Sequence, residues 1–171
     1  MAKNSFEIEL FNFGPLYISG DLAHLSAEEN TMGSSAALEL LNQAAEKDPM
    51  GSTVLWTGSY SGLLGPFIML AGALSREPLG SQGFVKIGPC LLSCAKVGAS
   101  PDRLRLLSAY AKISDSLHSM GYATGEWSME VFENKDLIEL QGQAPFIYCL
   151  PVIQARQEAG SHAYAGSGLP I

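Results

Sequence analysis

Apolar and acidic positions alternate at the start of the chain. Phe6, Ile8 and Leu10 fall on one side, with Glu7 and Glu9 on the other. Successive side chains of a strand point to opposite faces, so this period of two predicts a half-buried strand. Gly14 and Pro15 interrupt it. Leu16 to Ser19 resumes an extended pattern, and the two segments are expected to pair as a hairpin. Residues 20 to 33 are polar and read as a loop. The period then changes. Ala36, Ala37, Leu40, Leu41, Ala44 and Ala45 recur at three- and four-residue spacing opposite Glu39, Gln43 and Glu46, which predicts an amphipathic helix ended by Asp48, Pro49 and Gly51.

Thr53 to Thr57 reads as a short strand. The segment Phe67 to Ser75 is apolar nearly all round and follows Gly65-Pro66, which predicts a buried helix. Phe84 to Val97 reads as a strand broken at Gly88-Pro89. Ser100, Pro101 and Asp102 have the residue types of a helix start, and Leu106, Tyr110, Ile113, Leu117 and Met120 carry that helix to Gly121. Trp127, Met129 and Val131 alternate with Glu126, Ser128 and Glu130. Leu137 to Gln141 is expected to return as the hairpin partner of that strand, and Phe146 to Val152 as a buried strand. The order ββαβ(α)βαβββ predicts an α+β fold: a two-layer sandwich with a mixed, mostly antiparallel sheet and two or three helices mainly on one face. Residues 1–154 form this single domain, and the Gly/Ala/Ser-rich residues 155–171 form a tail. No internal repeat stands out in the sequence.

Composition narrows the function. Seventeen acidic against ten basic residues give a net charge of −7, with no basic cluster. A nucleic-acid surface needs Lys and Arg to displace phosphate counterions, so nucleic acid is not an expected partner, and neither is an anionic membrane. The apolar run Leu63 to Leu74 is far shorter than the roughly 20 residues of a membrane-spanning helix. The opening Met-Ala-Lys-Asn-Ser has no signal-peptide pattern, so a cytoplasmic chain with Cys90, Cys94 and Cys149 as buried free thiols is expected. A 47 % apolar and 16 % charged composition points to surface hidden in a homo-oligomer.

The candidate chemistry lies in two places. Asp21, His24 and Glu28 concentrate titratable groups in the polar segment, and His24 suits proton transfer near neutrality. Gly58-Ser59-Tyr60-Ser61-Gly62 departs from the nucleophile elbow because Tyr60 takes the central place. It leaves a glycine-rich turn with Tyr60 as a hydrogen-bond donor and Ser59 and Ser61 beside it. Met32-Gly33-Ser34-Ser35-Ala36-Ala37 resembles the phosphate loop of the galactokinase, homoserine kinase and mevalonate kinase group. That likeness covers six residues and lacks the family's lead-in, so the family is not assigned. The free N–H groups at Gly33 and Ser34 still suit an anion. Glu126 and Glu130 share a strand face and form a candidate carboxylate pair if that face lines a cleft. The expectation is a small cytosolic oligomeric enzyme acting on a small polar or anionic metabolite by general acid–base chemistry, a lyase or isomerase without metal or cofactor. The alternative is a non-catalytic binding or assembly subunit.

Overall fold

The computed structural model describes residues 7–25, 34–59, 67–80, 83–98, 104–141 and 143–154. Among them are the strands β1 (Ile8–Phe13), β2 (Leu16–Leu25), β3 (Ser52–Ser59), β4 (Phe67–Ser75), β5 (Gly83–Ile87), β6 (Cys90–Val97), β7 (Tyr122–Thr124), β8 (Trp127–Glu133) and β9 (Phe146–Gln154). The helices are α1 (Ser34–Lys47), α2 (Leu104–Ser119) and α3 (Asn134–Glu139). The strands form one antiparallel sheet in the order β1-β6-β9-β8-β3-β4-β2-β5, with β7 beside β9. The α+β class is as the sequence predicts.

The sheet cannot be flat. β1 and β2 stand six strands apart in the order, yet only Gly14 and Pro15 separate them in sequence. Six strand spacings are roughly 29 Å, whereas three residue steps reach about 10 Å. Gly88-Pro89 makes the same jump from β5 to β6. The two edges must therefore approach each other at these crossovers, and the sheet curls into a half-barrel. Its inner face gathers side chains that are distant in strand order: Ile18, Val54, Leu70, Ile87, Leu92 and Met129, all buried. The helices pack outside. α1 covers Leu55, Met69 and Ala71, and α2 covers Ala95, Tyr148 and Leu150.

Two halves repeat one backbone plan that the residues themselves do not display. Gly14-Pro15 leads into β2 as Gly88-Pro89 leads into β6. Counting from there, Gly20 opposite Gly72 matches Cys94 opposite Cys149. Val54 beside Gly72 matches Met129 beside Cys149. The next pair, Leu55 opposite Glu130, joins the halves and so lies on the approximate twofold axis. Each half also lends its first strand to the other: β1 pairs with β6 and β5 with β2.

Several local expectations are corrected. The first two strands are not a hairpin, because each pairs across the curl. Residues 20–25 belong to β2 rather than to a loop; Gly20 and Gly72 let two strands approach so closely that a Cβ on either would overlap the opposite backbone. Phe67 to Ser75 is a strand, not a helix. Met69, Leu70 and Ala71 are all buried because both sheet faces are covered, and such a strand reads as an unbroken apolar run. Leu137 to Gln141 is not a returning strand. Asn134 starts a short helix: its Nδ2 donates to Asp48 O at 2.6 Å, its N–H donates to Gly51 O at 3.0 Å, and Leu137 is fully buried.

The crossovers abut at the closing seam. Gly14 has φ +84°, and a Cβ there would fall 2.6 Å from Ile87 O; Gly88 has φ +77°, with Phe13 O at 2.6 Å. Gly14→Ala and Gly88→Ala are each expected to lose at least about 2 kcal/mol, since the left-handed conformation and the overlap add. Gly98→Ala, which meets nothing within 4 Å, should stay within about 0.5 kcal/mol of the parent. Urea unfolding midpoints check this, and equal midpoints for all three variants would refute the seam's role.

Candidate functional site: a cleft over the second half of the sheet

The inner face opens beside β1 into a cleft of about 770 Å³. This volume lies within the usual range of small-molecule pockets. Its floor is Met129 and Val131 of β8, Ile147 and Cys149 of β9, and Cys94 of β6. Phe11 and Phe13 of β1 form one wall, and Ser108, Ala109 and Lys112 of α2 lie at the far rim. The alternation of each strand explains the lining: the residues between these, Glu130 and Tyr148, face the helices instead. Phe11 and Ile147 are each 40 % exposed, a large apolar exposure for positions that share one depression. Glu7, Glu9, Lys96 and Lys112 bring both signs of charge to the rim, so the cleft has an apolar body without a dominant rim charge.

Cys94 and Cys149 are joined as a disulfide, which corrects the expectation of three free thiols. They are directly opposite in the β6–β9 pair with Cα atoms 4.3 Å apart, the close spacing of a non-hydrogen-bonded antiparallel pair. Cys90 is the remaining free thiol among the described residues, and burial pushes its pKa up, which keeps it protonated and weakly nucleophilic.

The sequence-predicted site residues are not gathered here. Asp21 and His24, an odd number of positions apart within β2, lie on opposite faces of the sheet. Asp21 is on the helix side, ion-paired with Lys47 of α1 near the surface. His24 is exposed. Glu28, Gly33, Tyr60 and Ser61 lie outside the described residues. Ser34 opens α1 and Ser59 closes β3, and of both only the backbone is described. Of the candidate carboxylate pair, Glu126 is exposed ahead of β8, while Glu130 is 2 % exposed on the axis. Among the described residues no three or more His, Cys, Asp or Glu side chains group as metal ligands, and no helix is long and apolar enough to cross a membrane.

Sequence reading missed the cleft because its residues come from six separate elements and look mostly like ordinary core.

No protein-family model matches the chain, and no curated protein matches it. Solved structures do share its fold. A Staphylococcus aureus MU50 protein described as a bacterial transcription regulation protein matches with a TM-score of 0.59 at 10 % identity, covering 86 % of this chain and 99 % of its own. The EcmrR C-terminal domain matches with a TM-score of 0.55 at 13 % identity, covering 88 % and 99 %. An integron cassette protein from the mobile metagenome of Vibrio cholerae matches with a TM-score of 0.54 at 12 % identity, covering 86 % and 95 %. At these identities the likeness is one of fold.

Proposed function

We propose that the chain is a non-catalytic binding domain that takes a small, largely apolar molecule in the inner-face cleft. The observation that carries this reading is the cleft itself: aromatic and aliphatic side chains form the body of a depression of about 770 Å³, with charged side chains at its rim. The acid–base alternative loses geometric support because Asp21 and His24 diverge across the sheet. Likeness to a protein described in terms of transcription regulation suits a sensing role, in which an effector is bound and not transformed. The acidic balance favours a small ligand over nucleic acid as the partner.

Nile red, a neutral apolar dye, is expected to bind saturably with blue-shifted emission. Val131→Arg should weaken binding by about tenfold or more, since it sets a charge in the apolar floor. Asp21→Ala, on the other face, should leave binding unchanged. Saturable binding indifferent to Val131→Arg would remove the cleft as the site.

Self-association accompanies this reading. Edge strands β1 and β5 expose Leu10 at 38 % and Phe84 at 53 %, and exposed apolar edges invite pairing. Light scattering should give at least twice the 18.2 kDa chain mass; a monomer at micromolar concentration would refute it.

A further inference from the structure

The Cys94–Cys149 disulfide lies in the floor of the cleft. The approximate twofold supplies a built-in comparison for its role. Where the second half has Cys94 opposite Cys149, the first half has Gly20 opposite Gly72. The first half holds this pairing with no covalent link, so the plan of the fold does not require one there. What distinguishes the second half is that its pair lines a cleft. Both sulfur-bearing residues are nearly enclosed, Cys149 at 3 % and Cys94 at 6 % exposure. A protein reductant is therefore shut out, and access is left to a molecule small enough to enter the cleft.

We propose that the Cys94–Cys149 disulfide is a thiol-exchange site selective for small thiols that carry an apolar group. The proposal rests on the reading of the cleft as a ligand site. The thiolate of the entering molecule attacks Sγ of one of the two cysteines. A new S–S bond forms between molecule and protein, the Cys94–Cys149 bond breaks, and its electron pair leaves on the other cysteine as a thiolate that takes a proton from water. A second thiolate attacks the molecule's sulfur in the mixed disulfide. Both cysteines are then thiols, and the two molecules leave as their own disulfide, so the small thiol is oxidised and the protein reduced. Met129, Val131 and Ile147 would hold the apolar group while its sulfur reaches the floor.

The test uses the full oxidised chain in a Cys90→Ser background, which removes the third sulfur. Benzyl mercaptan and glutathione are compared at equal thiolate concentration, with acid quenching and peptide mass mapping. A mixed disulfide at Cys94 or Cys149 is expected without denaturant, forming at least tenfold faster with benzyl mercaptan. Val131→Trp, which fills the cleft, should slow that reaction about tenfold while leaving the glutathione rate in urea unchanged. Equal rates for the two thiols, or exchange that appears only in step with global unfolding, would overturn the proposal. Nile red binding separates the two readings. A preference for benzyl mercaptan without Nile red binding supports the thiol site and counts against the general ligand reading. Nile red binding without that preference sinks the thiol site alone.

Discussion

Two residues cannot bridge a flat sheet of this width, and the molecule contains two such bridges. Gly14-Pro15 and Gly88-Pro89 each carry the chain between opposite edges of the strand order. Curling is the geometric consequence, and most of the architecture follows from it. The inner face becomes a core because side chains far apart in strand order converge on it. The outer face is left for the helices. The crossovers meet at the seam, where each glycine would collide with the other bridge's backbone if it bore a Cβ. Glycine is needed there for space as well as for its positive φ.

The same bridges produce the exchange of first strands between halves. Each half is incomplete without a strand from the other, so neither can bury its inner face alone. On this shared scaffold the halves diverge at matched positions. Leu55 faces Glu130 across the axis, Ala71 corresponds to Tyr148, and the Gly20–Gly72 pair to a disulfide. The larger and more reactive residues fall in the second half, which is also where the cleft lies. Curling sets the shape of the molecule, while this divergence makes the surroundings of the two halves unlike.

Local pattern made part of this legible. Alternation marked the first strand and β8, and three- and four-residue spacing marked α1 and α2. Polarity alone misread 20–25, where close strand contact tolerates glycine and polar residues inside β2. Apolar continuity misread Phe67 to Ser75, because a strand covered on both faces has no polar side to reveal its period. The repeat was hidden because what recurs is backbone plan: beyond the Gly-Pro steps, matched positions carry unlike residues such as Gly20 and Cys94. The disulfide was hidden for a related reason. The separation of 55 residues between its cysteines says nothing of register, and only the β6–β9 pairing brings them face to face. Candidate acid–base residues were read as neighbours because they are close in sequence, but odd spacing within one strand sends Asp21 and His24 apart.

The position of β1 ties the cleft to the closing of the sheet. β1 belongs in sequence to the first half, yet Phe11 and Phe13 line the cleft of the second, one strand from Cys94. Its far end runs directly into the Gly14-Pro15 bridge. A molecule seated against Phe11 and Val131 touches both halves at once, so its binding energy adds to what holds the seam closed. The disulfide acts differently, because it joins β6 to β9 within the second half and leaves β1 held by its antiparallel pairing with β6. The wall of the cleft is thus held by non-covalent contacts while part of its floor is covalently fixed.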